Sequence, residues 1–341
     1  PELGLRALAT AEGVRPATIE RVLALSDEVE ERRGVFLSLA EKVGDVERAL
    51  DLLETIRRRT RNGNDLWFVG EALDRISWVH PDYAAEARRR AERLFDHISA
   101  PDEAIFEAVP TATGPVPFWR TIPKGTFKMG GPDEEMDDDS PLPHDVTFTD
   151  SFQFATVPVT LRMYRWLDPT KGVGSDDLER PVVNVTWYEA SAFCRYLATR
   201  CEAARGARLP SEAEWEYACR AGTTTAYESG DETTDLDRVG WYDRNSRGRL
   251  HRVGEKPANG FGLHDMHGNV FEWCEDTWHD GYLGAPTDGS AWVNLNSERR
   301  VHRGGSFGDS AWFARSAYRN CWPTDLRNDD IGFRPARSIR I

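Results

Sequence analysis

Two stretches of this chain bring together side chains that could do chemistry. The first, Asp265-Met266-His267-Gly268-Asn269-Val270-Phe271-Glu272-Trp273, sets two carboxylates, an imidazole and an amide within a turn-forming segment, with His264 just before it. Oxygen donors from Asp, Glu and backbone carbonyls suit calcium, a hard cation that tolerates irregular cages. The same carboxylates could instead satisfy N–H groups of the turn while Phe271 and Trp273 pack. His264 and His267 lie three apart, but no third His or Cys follows at ligand spacing, so both are expected to be ordinary hydrogen-bonded histidines. The five cysteines form no Cys-x-x-Cys pair. Cys194 and Cys201, in a helical pattern, would stand roughly 10 Å apart along the axis, too far to bridge. Cys274, inside an apolar motif, is expected to be a small buried hydrophobe rather than a reactive thiol.

The second stretch runs from Arg303-Gly304-Gly305-Ser306 to Ile331-Gly332-Phe333-Arg334. Its aromatic residues supply rigid contact area and its Ser, Gly, Asn and Asp residues adaptable hydrogen bonds, the mixture found in antibody paratopes. This predicts a recognition surface. The glycines at 304, 305 and 332 permit tight turns. Arg315, Arg319, Arg327 and Arg334 can fix loop carbonyls or carboxylates through their several N–H groups.

Elements to position these stretches are legible upstream. Apolar residues recur at helical spacing from Pro16 to Ile98, for example Val46, Ala49, Leu50, Leu53 and Ile56, then Leu66, Val69, Leu73 and Ile76. An α-helical bundle over 1–109 is expected, with the basic triplets Arg57–Arg59 and Arg88–Arg90 as solvated faces. Pro110 to Pro117 is rich in Pro, Thr and Gly and is expected to be a linker. From Phe118 to Ile341 short strands and turns dominate, with two helices predicted at Thr160 to Leu167 and Trp187 to about Ala204. The fold class is therefore α+β. The acidic run Glu134 to Asp139 is expected to be a hydrated loop.

Composition narrows the function classes. A net charge of -14 opposes general nucleic-acid binding, because phosphate contacts need clustered Lys and Arg. No apolar run is long enough to span a bilayer and no secretory leader is visible, so cytoplasmic residence is the expectation.

Three blocks together resemble the formylglycine-generating-enzyme, or sulfatase-modifying-factor, family: Arg208-Leu-Pro-Ser-Glu-Ala-Glu-Trp-Glu-Tyr-Ala218, Asp265 to Trp273, and the Arg303 to Arg334 segment. Over about 220 residues the order of features matches, and the resemblance implies a C-type-lectin-like domain. It implies calcium ligation by Asp265, Gly268, Val270 and Glu272, the glycine and valine through carbonyls, with Asn245 a weaker contributor; calcium would be structural, and no other cofactor is required. His144 resembles a family core position. Active members oxidise a substrate cysteine with two cysteines of their own that bind copper. Here the matching positions fall around Asp309 and Ala314, and no cysteine lies between Ser306 and Asn320. Soft copper and thiol exchange both need thiolate, so no oxidase reaction is expected.

The Arg-Gly-Gly-Ser, Arg-Ser-Ala-x-Arg, Arg-Asn and Ile-Gly-Phe-Arg frame resembles a second branch of the fold, the variable proteins of diversity-generating retroelements. That resemblance implies a diversified contact surface for a protein or other macromolecule. Its residues would be Phe307, Gly308, Asp309, Ser310, Trp312, Phe313, Tyr318, Asn320, Cys321, Trp322, Thr324, Asp325, Leu326, Asn328 and Asp329. The helical region would tether this binding protein to a partner protein. Two alternatives remain open. One is an enzyme of the formylglycine-generating or iron-dependent sulfur–carbon bond-forming kind, although only His80 and His97 precede the linker, too few for a three-histidine iron site. The other is a catalytically dead scaffold.

Overall fold

The computed structural model describes residues 33–37, 46–112, 114–131, 143–175, 177–294 and 297–339. The acidic run Glu134 to Asp139 and the helical pattern before residue 33 lie outside the described residues.

The amino-terminal helices form where the apolar stripe demands them. Helix α1 spans Val46–Arg59 and buries Ala49, Leu50, Leu53 and Ile56. Helix α2, Gly63–Val79, begins at Asn62, whose side chain accepts from the Asn64 and Asp65 N–H groups. Helix α3, Ala84–Glu92, turns back along α2 and buries Ala87 and Ala91. Two arginines of each basic triplet are paired locally: Arg57 and Arg58 with Glu54, and Arg89 and Arg90 with Glu86. Arg57 is nevertheless buried, its guanidinium donating to Arg93 O at 2.6 Å.

The stretch expected to be a linker is structured. After the short helix α4, Ala104–Glu107, strands β1 (Ala108–Thr111) and β2 (Gly114–Pro117) pair antiparallel. Proline lacks the donor a ladder needs, which is why the segment reads as irregular, but a two-stranded hairpin has only edges and tolerates it. Gly114 opens β2 at φ +117°, a backbone conformation that glycine adopts freely.

Beyond the hairpin the sheet residues are β3 Trp119–Ile122, β4 Gly125–Met129, β5 His144–Phe148 and β6 Phe152–Ala155. The later strands are β7 Phe271–Thr277, β8 Arg299–Arg303, β9 Arg319–Pro323, β10 Ile331–Gly332 and β11 Ala336–Ser338. They form a β11-β6-β3 sheet, a β4-β5 ribbon and a β10-β7-β8-β9 sheet in which only the β10–β7 pairing is parallel. The helices here are α5 Leu161–Tyr164, α6 Trp187–Arg200, α7 Glu212–Arg220, α8 Thr233–Val239 and α9 Asp243–Ser246. Two of these were expected, both shorter than predicted. Helix α7 was missed because all nine of its residues are buried, which leaves no polar face and no stripe to read.

The architecture is a C-type-lectin-like α+β domain preceded by α-helices. Helix α6 lies on α2 and joins the two parts. Trp67 meets Trp187 edge-on at 5.4 Å, Phe68 meets Tyr188 at 5.1 Å, and Thr186 Oγ1 donates to Asn64 Oδ1 at 2.6 Å in the buried interior. One apolar cluster runs from Leu50 and Val69 through Phe193 to Trp273 and Phe333.

Candidate ligand-binding face

The carboxy-terminal segment is built on glutamates that come from distant elements. Arg303 enters a fully buried pair with Glu216 of α7, and Arg319 grips Glu212 of the same helix with two N–H groups at 2.8 Å. Arg327 pairs with Glu189 of α6, and Arg334 with Glu272 of β7. The capping boxes Ser211/Glu214 and Thr186/Glu189 begin α7 and α6 and so fix where these carboxylates stand. Burial by itself favours the neutral guanidinium, but the flanking glutamates outweigh it and make Arg303 and Arg319 harder to deprotonate, while the Arg220 and Arg303 charges hold the Glu216 carboxyl low against its own desolvation. Arg315 instead lies flat on Trp312 at 3.1 Å and donates to its carbonyl.

On this frame the contact residues divide. Gly308, Ser310, Trp312 and Asp329 are exposed, and Phe307, Asp309, Phe313, Tyr318, Asn320, Asp325, Leu326 and Asn328 are half-buried. Trp312 stands 42% exposed, unusual for so large an apolar ring. Phe313 and Tyr318 meet edge-on at 4.9 Å behind it. Two expected contact residues do not serve. Cys321 is 4% exposed because its place opposite Val301 in the β8–β9 register turns it inward, and Thr324 is 3% exposed, its hydroxyl donating to Tyr188 Oη at 3.1 Å. Trp322 is half-buried and packs on Phe271, Trp273 and His302, so only part of it is open to a ligand. Asp330, absent from the expectation, belongs to this neighbourhood. Burial, then the charges of Asp309 and Asp329, raise its carboxyl to about 6. Its place between two frame blocks hid it.

Asp309 and Ala314, the two positions that the family resemblance singles out, are both built into the protein. Asp309 accepts from Ser306 Oγ, and its carbonyl accepts from Asp243 N at 2.9 Å. Ala314 is buried and its carbonyl accepts from His267 Nδ1 at 2.7 Å. All five cysteines are free and buried. Cys219 lies 3.6 Å from His267 Nε2, and desolvation drives its thiol well above the ordinary range.

The histidine pair has structural partners, as expected. His267 donates through Nδ1 and accepts Glu228 N–H at Nε2, and burial pushes its pKa down to about 4, so the ring stays neutral. His264 donates through Nδ1 to Lys256 O at 2.8 Å.

The calcium expectation does not fit the geometry. Glu272 accepts from Arg334 at 2.6 Å and from Trp215 Nε1 at 2.7 Å, while Arg334 also donates to the Asp265 and His264 carbonyls. The guanidinium thus occupies the space between the Asp265 carbonyl and the Glu272 carboxylate that a cation would need. Asp265 Oδ2 accepts Gly254 N at 2.7 Å, the Gly268 carbonyl accepts Val270 N, and Asn245 caps α9 by accepting Tyr242 N. Among the described residues no group of three or more His, Cys, Asp or Glu is disposed to hold a metal ion. Residues 62 positions apart in sequence make this ion pair, so spacing alone could not reveal it.

With the fold and this face in view, the class of protein follows. The sulfatase-modifying factor enzyme 1-like domain matches residues 106–339, and the chain belongs to that family. It is 41% identical over 139 residues to the formylglycine-generating enzyme of Mycobacterium tuberculosis (strain ATCC 25618 / H37Rv), covering 34% of this chain and 44% of that enzyme. It is 34% identical over 165 residues to the serine/threonine-protein kinase pkn1 of Chlamydia caviae, covering 48% of this chain and a quarter of the kinase (25%). The solved structure of variable protein 1 from Treponema denticola superposes with a TM-score of 0.58 at 26% identity, over 68% of this chain and 98% of that one.

Proposed function

We propose that this chain is a non-catalytic binding protein that recognises a protein or other macromolecular ligand through the face around residues 307–329, and that it is the variable protein of a diversity-generating retroelement. The observation that carries the reading is the makeup of one surface of the fold. An exposed Trp312 and a set of small polar residues are held there by buried arginine–glutamate pairs, and the family resemblance matches Asp309 and Ala314 beside them to the sulfur pair of active members. Such a surface is equipped to grip and lacks the sulfur chemistry to oxidise. Similarity to the Treponema denticola variable protein supports the retroelement part of the proposal. The helical region tethers the receptor to a partner protein, and the chain works in the cytoplasm without a required cofactor. No helix among the described residues is long and apolar enough to cross a membrane.

Sequencing the locus from several isolates tests the proposal. Substitutions should concentrate between Phe307 and Asp329 and spare Arg303, Arg319, Arg327 and Arg334. A nearby repeat should match the coding sequence of 303–334 except where it has adenine, beside a reverse-transcriptase gene. Identical sister copies with no repeat would leave a fixed, catalytically dead scaffold instead. The similarity to formylglycine-generating enzymes favours a second reading, oxidation of a substrate cysteine. Turnover of a cysteine-containing sulfatase peptide with copper would establish that reading and sink the first.

A further inference from the structure

A cavity of about 440 Å³ lies at the seam where the amino-terminal helices meet the lectin-like domain. Arg61, Ser99 and Ile105 line it from the helical side, and Arg162, Arg165 and Trp166 from the segment around α5. A second cavity of about 330 Å³ shares Ile105 and Arg162 with it, so the two adjoin. Sites of this size hold small organic ligands and favour the junctions between structural units.

The lining is basic in a chain whose net charge is -14. Arg162 spends Nε on Glu179 Oε1 at 2.5 Å, and its side chain is 48% exposed. Arg165 donates Nε to Lys171 O at 2.8 Å and Nη2 to Gly172 O, two carbonyls that carry no formal charge to match its own. A guanidinium has five N–H groups, so both arginines keep donors beyond these bonds. Arg61 is exposed at the start of the turn into α2. Trp166 is half-buried against the apolar core and lines the cavity together with Ile105. Fixed guanidinium forks favour planar or tetrahedral oxyanions, bound bidentately.

We infer that this seam is a second binding site, for a small molecule that joins an oxyanion to a flat apolar ring, as a nucleoside monophosphate does. The oxyanion sits among Arg61, Arg162 and Arg165 and the ring against Trp166. Because the walls come from both parts of the chain, the bound molecule bridges them, and occupancy stabilises the folded protein. The site shares no residue with the recognition face.

The test is calorimetric titration of the full chain with AMP, inorganic phosphate and adenosine, together with thermal melts. AMP should bind saturably and raise the melting temperature, phosphate should bind at least about tenfold more weakly, and adenosine more weakly still. Arg165→Ala should lower AMP affinity by about tenfold or more, and Trp166→Leu should weaken AMP while leaving phosphate unchanged. Arg165 also holds the 171–172 loop, so Arg61→Ala, which leaves that loop intact, is measured beside it and should likewise weaken AMP. Absence of saturable binding by both AMP and phosphate, or AMP affinity undiminished in both arginine variants, overturns the site. Equal affinity for AMP and phosphate overturns its ring-binding half. Trp312→Ala on the recognition face should not change any of these titrations, so this result and the fate of the receptor proposal are read separately.

Discussion

Arg334 shows at the scale of one residue how a motif can mislead. Asp265, Gly268, Val270 and Glu272 follow the family's calcium pattern in the sequence, yet the positive charge near Glu272 comes from a side chain of the same chain. Glu272→Gln would leave Arg334 buried without its counter-charge and should cost about 3–5 kcal/mol in chemical denaturation. Calcium or EDTA should leave the melting temperature of the unmodified protein unchanged, and a calcium-dependent rise would mean that Arg334 yields the place to the ion. On the surface the expectation reverses. Trp312→Ala should alter folding stability by less than about 1 kcal/mol, since the ring is 42% exposed and lies outside the apolar core, and should weaken ligand capture by about tenfold or more. Which residues would lie on the face was legible from composition for Phe307 to Phe313. It was not legible for Cys321 and Thr324, whose burial is set by strand register and by Tyr188 respectively.

At the scale of elements, periodicity served well where one side of a helix meets solvent. Helices α1 and α2 carry a stripe and were legible; α7 is enclosed, with Glu212, Glu214 and Glu216 interleaving its apolar residues, and only its Ser211 cap marks it. Ser211→Ala should cost about 1 kcal/mol, measured as a shifted denaturation midpoint at unchanged slope. The 110–117 hairpin was hidden by its prolines, because pairing with a neighbouring strand is not a local property of sequence. The junction of α2 and α6 has a polar lock in Thr186 and Asn64. Thr186→Ala removes both that bond and the α6 cap, and should cost about 2–3 kcal/mol. Since the apolar cluster is continuous across the junction, near-ultraviolet and far-ultraviolet signals should fall together in a single transition.

For the whole molecule, buried acids dominate the response above neutral pH. Burial raises Glu228 to about 8 and Asp276 to about 7. A carboxyl whose folded pKa exceeds its unfolded value holds its proton more tightly when folded, so its contribution to stability is lost as pH rises toward the folded pKa. His267 and His302, both lowered by burial, act in the opposite sense but only below about 6.5, where the unfolded imidazole takes up a proton. Between pH 6.5 and 8.5 the acids act unopposed by these rings, and the melting temperature should decline. Glu228→Gln should flatten the upper part of that decline, amounting to about 1–2 kcal/mol. A melting temperature that climbs over this interval would contradict the assignment of these carboxyls. Net charge and composition pointed to a globular α+β chain, but the acids responsible for this behaviour could not be picked out before their surroundings were known.

The arginine–glutamate pairs tie the carboxy-terminal segment to three separate elements, α6, α7 and β7, and leave some side chains between the ties, Gly308, Ser310 and Asp329 among them, on the surface. Folding is thereby largely uncoupled from the identity of those surface side chains. Variants randomised at Gly308, Ser310, Asp325, Leu326 and Asp329 should express as well-folded chains at high frequency, as judged by a cooperative thermal melt. The same chain then becomes a display framework in which new specificities are selected without re-optimising the core.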